Sequence, residues 1–412
     1  SSVATTFDGY PLAQKGKATE ALSYAFLSAG FGALVGVIVI TLLSGVVQKF
    51  ALRFSAPEYF AVYFLAFCSF IGLGGAPVLK TVVSIGCGFA LAAVGMDSVS
   101  GSLRLTFEFD ALLAGISFLV VVIGLFGIGE LILTVEEGLQ LKGIEARVRP
   151  SDVLRTMAMM PRHWATLLRS ALVGCWMGIT PGGPTAASFM SYGLARRFSK
   201  YRQGFGKGEP DGIIAPETAD HSAGTAAMLP MLALGIPGSA TAAVMLGGLM
   251  IWGLNPGPML FVERPDFVWG LIASMYLGNV IGVILVLATV PMFASILRIP
   301  FAIIGPAIVV ICFVGAYTVG SRPFDLWVAL GFGFVGYLFK KLNYPIAPLI
   351  LAMVIGDKAE DAFRQSLIMS KGALSVFWSN ALVGTLMALA LLLLVWPVAA
   401  RVLFGGGRSS AP

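Results

Sequence analysis

The chain has 412 residues, of which 57% are hydrophobic and 12% are charged, and its mean hydropathy is +0.88. Ordinary globular domains carry about a quarter charged residues, so the composition excludes an ordinary soluble domain and predicts an all-α polytopic membrane protein. The formal net charge of +6 does not indicate nucleic-acid binding, because Lys and Arg gather in loops, as the positive-inside rule of membrane proteins describes.

Apolar runs that can cross a hydrocarbon core of ~30 Å predict about nine to eleven transmembrane passes. In chain order the candidate segments are 21–48, 59–75, 76–95, 109–134, 171–195, 216–254, 266–297, 300–320, 323–339, 345–356 and 374–400. Segment 216–254 is long enough to turn back inside the membrane. We divide the chain into a repeat remnant (1–18), scaffold helices with a cytoplasmic linker (19–170), transport hairpins (171–261) and a second scaffold part (262–412).

The first residues, SSVATTFDGYPLAQKGKA, suggest an internal repeat. Shifted by 237 positions they lie on GSATAAVMLGGLMIWGLN, which matches Ser2 with Ser239, Leu12 with Leu249 and Gly16 with Gly253. A few matches among small residues also occur by chance. Asp8 and Lys15 lie in the same stretch, where they can pair with each other or cap a helix.

Basic residues surround segment 171–195 on both sides. Arg155, Arg162 and Arg169 precede it, and Arg196, Arg197 and Lys200 follow it. Because both flanks are predicted to be cytoplasmic, the segment is expected to enter the membrane and return as a hairpin. Lys340 and Lys341 mark a further cytoplasmic end.

Two segments place Pro and Gly in the middle of apolar runs. CWMGITPGGPTAASFMSYGLARR contains Pro181, Gly182, Gly183 and Pro184, and LALGIPGSATAAVMLGGLMIWG contains Pro237 and Gly238. Proline removes a helical hydrogen bond and glycine permits a turn, so each segment is predicted to be two half-helices that meet at a tip. A proline kink that serves packing alone is the alternative.

Such tips can bind ions of both signs. A helix N-terminus has free N–H groups and a positive dipole end, here at Gly183, Thr185 and Ala186 and at Gly238, Ser239 and Ala240, which suit a carboxylate. Carbonyl groups around Gly178 and Gly235 suit a cation. Hydroxyl groups expected to contact the substrate are those of Thr180, Thr185, Ser188, Ser239 and Thr241.

Two acids precede the second tip. Glu217 and Asp220 are three residues apart on one helical face, so they can bind a cation together or share a proton. The alternative is that they lie at the cytoplasmic interface at the start of a helix, with Pro216 as its first residue. Cys68, Cys87, Cys175 and Cys312 have no paired spacing and only two His are present, so neither disulfides nor a metal site is predicted.

Residues 205–261, with the motif LPMLALGIPGSATAAVMLGG, resemble the TctA family, the large membrane subunit of tripartite tricarboxylate transporters. Residues 94–110, 110–131, 180–200 and 336–367 resemble the same family, so the resemblance covers essentially the whole chain. Family members begin with a further segment that holds the first broken-helix pair. SSVATTFDGY resembles its end, and we therefore expect the chain to lack the family's N-terminal segment.

The resemblance implies a secondary transporter of the bacterial inner membrane that imports di- or tricarboxylates with Na⁺ or H⁺ as coupling ion and without another cofactor. It also implies a small four-helix membrane subunit (TctB-like) and a periplasmic solute-binding protein (TctC-like) as partners. Positions that match the family motif are Pro181, Gly182, Gly183, Pro216, Glu217, Pro237 and Gly238, and Ser2 and Thr5 belong to the remnant of the first tip.

One departure from the family concerns the coupling ion. Where the family often shows two asparagines, this chain has Asp220 and His221, which leaves open sodium or proton coupling. The sequence also leaves open which carboxylate is carried and the oligomeric state. Other function classes are an ion channel and an intramembrane protease. The second rests on Gly127–Glu130, which only loosely resembles an aspartyl protease motif and has no partner aspartate, so no enzyme is expected.

Overall fold

The computed structural model describes residues 3–73, 76–97, 100–137, 150–296 and 301–404, which are almost entirely helical. The first helices are α1 (Val3–Leu12), α2 (Ala18–Ala51), α3 (Ala56–Leu73), α4 (Val78–Ala92), α5 (Phe118–Val122), α6 (Gly129–Glu137), α7 (Pro150–Met159), α8 (Trp164–Ile179) and α9 (Pro184–Phe198). The others are α10 (Asp211–Ala226), α11 (Met228–Leu234), α12 (Ala240–Ile251), α13 (Leu260–Glu263), α14 (Pro265–Ile296), α15 (Phe301–Gly320), α16 (Pro323–Lys341), α17 (Ile346–Met369) and α18 (Ala381–Phe404).

The helices confirm an all-α polytopic membrane protein. Within the described ranges, five helical stretches are long and apolar enough to cross a membrane: Val3–Ala51, Ala56–Leu73, Phe118–Glu136, Pro265–Thr289 and Ile303–Gly320. Three shorter apolar helices are Val78–Ala92, Ala240–Ile251 and Ala381–Pro397. The total of nine to eleven passes stays a prediction.

The chain forms two compact units, each built from two separate stretches. Unit 1 contains Ser1–Leu52 and Thr134–Ile308, and unit 2 contains Arg53–Leu133 and Val309–Pro412. Both broken segments and both acids of interest therefore belong to unit 1. The division of the chain into four parts stays a prediction.

Helix α10 is the centre of unit 1 and packs against α2, α8 and α9. Its sequence, DGIIAPETADHSAGTA, is polar for a helix among apolar neighbours, yet most of its residues are buried. Ala215, Ala219, Ala223 and Ala226 have no exposed surface. Such small residues let helix backbones approach closely, which is how helices associate inside membranes.

Glycines on both neighbours of α10 make this approach possible. A Cβ atom on Gly32 of α2 would lie 2.2 Å from the carbonyl oxygen of Thr218, and one on Gly36 would lie 2.7 Å from Cβ of Thr225. On the α8 side, a Cβ atom on Gly174 or Gly178 would lie 2.3 or 2.4 Å from the carbonyl oxygens of Ala219 and Ala223. Helix α10 is thus held between two glycine pairs spaced four residues apart.

The internal repeat that a shift of 237 positions suggests stays a prediction. Gly16 and Gly253, which this shift aligns, both have a left-handed backbone, with φ of 79° and 71°. A glycine therefore redirects the chain at both places.

Unit 2 is held by helix packing and by an ionic network. Helix α17 packs on α3 and α4, α18 packs on α3, and a two-stranded hairpin of β1 (Gly95–Met96) and β2 (Leu103–Arg104) follows α4. Buried Asp97 accepts two hydrogen bonds from Arg364 Nη1, at 2.8 and 3.0 Å. Arg104 Nη1 donates to Glu360 at 2.8 Å, which ties the hairpin to α17.

The packing of α10 predicts opposite effects for two substitutions in α2. Gly32→Ala adds a methyl group against a carbonyl oxygen, and overpacking of this kind costs about 1–3 kcal/mol. Gly45→Ala is the matched control, because a Cβ atom there meets no atom within 4 Å, and it stabilises the helix by about 0.5–1 kcal/mol. Thermal unfolding in detergent is the measurement. Equal melting temperatures for the two variants would contradict the packing.

Candidate functional site

The first tip is a tight turn that joins α8 to α9. Pro181 and Gly182 occupy its two central positions, Gly182 has φ of 78°, and the N–H of Gly183 donates to the carbonyl of Thr180 at 2.9 Å. Proline followed by a residue with positive φ is the pattern of a type II turn. The segment therefore forms the hairpin of half-helices that the sequence predicts.

The second tip lies between α11 and α12. Helix α11 ends at Gly235, which is left-handed with φ of 71°, and the N–H of Gly235 donates to the carbonyl of Met231. Pro237 and Gly238 are buried in the break. Ser239 is extended and caps α12, because its hydroxyl oxygen accepts from the N–H of Ala242 at 3.2 Å.

The two tips contact each other. The N–H of Gly182 donates to the carbonyl of Gly238 at 3.0 Å. A Cβ atom on Gly238 would lie 3.2 Å from the carbonyl oxygen of Gly178 and 3.9 Å from Cα of Pro181. The structure thus brings together the tip glycines of both segments and the end of α8, which the sequence could place only on separate segments.

Several groups predicted to bind the substrate have partners inside the protein. The N–H groups of Gly183 and Ala186 donate to the carbonyls of Thr180 and Gly183, so the prediction that they are free is wrong. The Thr180 hydroxyl donates to the carbonyl of Trp176. The first-turn N–H groups of Ala240 and Thr241 have no acceptor within their own helix.

Other predicted substrate residues differ in their surroundings. Thr241 is exposed at the start of α12. Ser188 has no exposed surface, and its hydroxyl has no hydrogen-bond partner in the described part of the chain, as is also true of Ser191 one turn further along α9. Pro181 is half-buried and Pro184 is buried beside the turn. Ser2 and the side chain of Thr185 lie outside the described part.

Glu217 contacts residues on two helices. The Thr5 hydroxyl of α1 donates to Glu217 Oε1 at 2.7 Å, and Nδ1 of His221 lies 3.4 Å from Oε2. The Glu217 side chain is only 12% exposed, whereas Asp220 is half-buried. The structure therefore pairs Glu217 with Thr5 and His221, and Asp220 lies beside this group on the same helix.

The alternative interpretation of these acids as the start of a helix is wrong in one respect. Helix α10 begins at Asp211, and Pro216 lies inside it, not at its first position. Glu217 is thus in the second turn, among buried residues. Proline inside a helix removes one backbone hydrogen bond, and the nearby close contacts with α2 and α8 keep the helix continuous.

Asp8 connects α1 to the loop that precedes α10. Its Oδ1 accepts from the N–H groups of Gly208 and Glu209 at 2.8 and 2.9 Å, and its Oδ2 accepts from the Tyr192 hydroxyl at 2.9 Å. Lys15 donates separately to the carbonyl of Lys207, whereas Asp8 binds backbone N–H groups of the loop that precedes α10. Burial raises the pKa of the neighbouring Glu209 carboxyl, and the carboxylates of Asp211 and Asp8 raise it further.

Some of these contacts have no signal in the sequence. His221 lies beside Glu217, a contact that a spacing of four residues on a helix allows but that the sequence does not specify. The bond between Asp8 and Tyr192 joins residues far apart in the chain. By contrast, the small residues spaced by four at Gly32, Gly36, Gly174 and Gly178 are visible in the sequence and indicate close helix packing.

Comparisons with known proteins agree with this architecture. The family model described as the tripartite tricarboxylate transporter TctA family matches residues 1–351. An uncharacterized 52.8 kDa protein in the TAR-I ttuC' 3' region of Agrobacterium vitis is 34% identical over 393 residues, which are 95% of this chain and 78% of the relative. An uncharacterized protein in the TAR-II ttuC' 3' region of the same organism is 34% identical over 54% of this chain and 92% of its own length. No solved structure matches the chain significantly.

The contacts of Asp8 predict that Asp8→Ala lowers the free energy of unfolding more than Tyr192→Phe does. Asp8→Ala removes three hydrogen bonds to a charged group and lowers the free energy of unfolding by at least about 2 kcal/mol, whereas Tyr192→Phe removes one and costs about 1 kcal/mol. Added to Asp8→Ala, Tyr192→Phe has little further effect, because its partner is already gone. Chemical unfolding of the purified chain in detergent measures all three variants. Additive losses would show that the two side chains do not interact.

Proposed function

Because the chain belongs to the tripartite tricarboxylate transporter TctA family, a family of membrane transporter subunits, we propose that it is the large membrane subunit of a secondary transporter that imports di- or tricarboxylates. The contact between the two broken-helix tips carries this proposal. Broken helices that meet inside the membrane are the structures with which many transporters bind anionic substrates and coupling ions.

The carboxylate site is proposed at the tip of α12. Its N-terminal dipole end favours negative charge, and the N–H groups of Ala240 and Thr241 are donors without an acceptor in their own helix. Gly238 lets the second tip pack close to the end of α8, since a Cβ atom there would lie 3.2 Å from the Gly178 carbonyl. Recognition through backbone groups needs no arginine, and neither tip contains one.

The coupling ion is proposed to bind at Glu217. This carboxylate is nearly buried, accepts from the Thr5 hydroxyl and has, among the described side chains, the His221 imidazole as its ion-pair partner. A buried carboxylate that lacks a permanent cationic partner favours binding of Na⁺ or H⁺, because an uncompensated charge in the membrane is costly. Gly178, Asp220 and Gly235 are the further residues proposed around the cation.

The partners and the location follow from the family. We propose the bacterial inner membrane, a small four-helix membrane subunit and a periplasmic solute-binding protein that delivers the carboxylate. The protease alternative loses its acid, because Glu130 forms an ion pair with Lys340 between α6 and α16. The motif also packs closely between α6 and α16, because a Cβ atom on Gly129 would lie 3.0 Å from the Gly333 carbonyl. This packing gives the motif a structural role.

Uptake into proteoliposomes tests the proposal. The vesicles contain the full-length protein and its partner subunits, and labelled citrate, then a panel of dicarboxylates, is offered under a sodium or a proton gradient. A carrier accumulates label under one gradient and exchanges labelled for unlabelled substrate in counterflow. A channel would equilibrate the label without accumulation. If no carboxylate moves although the binding protein is loaded, the proposal is wrong.

A charge-removing variant locates the coupling ion in the same assay. Glu217→Gln is expected to reduce gradient-driven uptake about tenfold or more, because hydrogen bonds to a charged group contribute about 1.5–3 kcal/mol. Asp266→Asn is the control, since it removes the same charge from an exposed position at the start of α14. If Glu217→Gln and Asp266→Asn show equal gradient-driven uptake, Glu217 does not belong to the ion site.

A further inference from the structure

Unit 2 contains an apolar cavity that the transport site does not involve. Its volume is about 410 Å³ and it is lined by residues of α3, α4, α17 and α18. Ligand pockets have volumes of about 300–1,000 Å³ and mostly apolar and aromatic walls. Apart from Glu360, the residues that line this cavity are apolar, which favours a hydrocarbon ligand.

The cavity is elongated along α3. Phe60, Phe64, Phe67 and Ile71 all line it, and they recur at the spacing of one helical face. Eleven residues of α-helix rise roughly 16 Å, which matches half of a hydrocarbon core of ~30 Å. The cavity thus has the length of one leaflet of a bilayer.

The wall formed by α4 is partly exposed. Val82 lines the cavity and is 45% exposed, and its neighbours Leu79 and Val83 are exposed too. On α18, Leu394 lines the cavity and is flanked by exposed Leu392 and Val395. Exposed aliphatic side chains on membrane helices contact lipid, so a chain from the bilayer can enter the cavity sideways.

A polar group lies at one end. Glu360 contributes its aliphatic part to the cavity, and its carboxylate is bonded to Arg104. The Arg104 Nε atom is buried and has no hydrogen-bond partner within the described residues. A phosphate group is an acceptor that guanidinium groups bind well.

The orientation of unit 2 places this end at the outer surface. Lys340 and Lys341 end α16 on the side predicted to be cytoplasmic, and Lys80 at the start of α4 donates to the carbonyl of Leu342 on that same side. Helix α4 then runs away from this side, and the hairpin that carries Arg104 follows its far end.

From the apolar cavity along α3, its open wall at Val82 and the unpartnered Arg104 Nε, we infer that unit 2 binds a phospholipid of the outer leaflet, with an acyl chain in the cavity and the phosphate at Arg104. The lining residues of this site all belong to unit 2.

Native mass spectrometry of the purified full chain tests this inference. The protein is stripped of lipid by detergent washes and then titrated with palmitoyl-oleoyl phosphatidylglycerol, phosphatidylethanolamine or diacylglycerol, which lacks phosphate. The wild type is expected to retain one phospholipid. Val82→Trp closes the open wall and is expected to lose it. Val83→Trp is the matched control, because Val83 is 41% exposed on the same helix and does not line the cavity.

The headgroup is tested with Arg104→Gln, which is expected to bind phospholipid no better than diacylglycerol. Arg104 also contacts Glu360, so Arg104→Gln can disturb the hairpin. The two tryptophan variants leave this contact intact and test the inference independently. Equal phospholipid retention by Val82→Trp and Val83→Trp would overturn the inference. The inference would also be overturned if no lipid were retained and benzoate, a small aromatic acid, stabilised Val83→Trp but not Val82→Trp.

Discussion

The close approach of three helix backbones around α10 is the constraint on which unit 1 depends. Four glycines, Gly32 and Gly36 on one side and Gly174 and Gly178 on the other, leave no room for a side chain against α10. This arrangement buries a helix that carries several polar and acidic residues. It holds Glu217 against Thr5, and it holds the break between α11 and α12 against the turn at Gly182, because α11 begins only two residues after α10 ends.

The two tips have different chemistry despite their similar sequences. The first tip uses the N–H groups of Gly183 and Ala186 within its own turn, and it contacts the second tip through the bond from Gly182 to Gly238. The second leaves first-turn N–H groups of α12 without an acceptor in their own helix. The Thr180 and Ser239 hydroxyl groups are bonded inside the protein, whereas the buried Ser188 hydroxyl has no partner among the described residues. The proposed recognition of a carboxylate therefore depends mainly on backbone groups and the helix dipole.

The sequence predicts the fold class, the two breaks and the hairpin because these follow from local rules: hydrophobic length, the missing proline N–H and the positive φ of glycine. It also aligns Gly16 with Gly253, and both have a left-handed backbone. Contacts between distant segments escape it. The register of α1 against α10 determines the pairing of Thr5 with Glu217 and the contacts of Asp8. Helix α10 begins before Pro216 because tertiary packing overrides a local helix signal.

Protection of a single cysteine by substrate tests the central claim most directly. Thr241→Cys, in full-length protein whose native cysteines are replaced, places a thiol at the exposed start of α12. Tyr201→Cys, 70% exposed in the loop after α9, is the control. Bound tricarboxylate or dicarboxylate is expected to slow maleimide labelling at position 241 and to leave the labelling rate at position 201 unchanged. Equal labelling of both with and without transported substrate would contradict a carboxylate site at the meeting point of the tips.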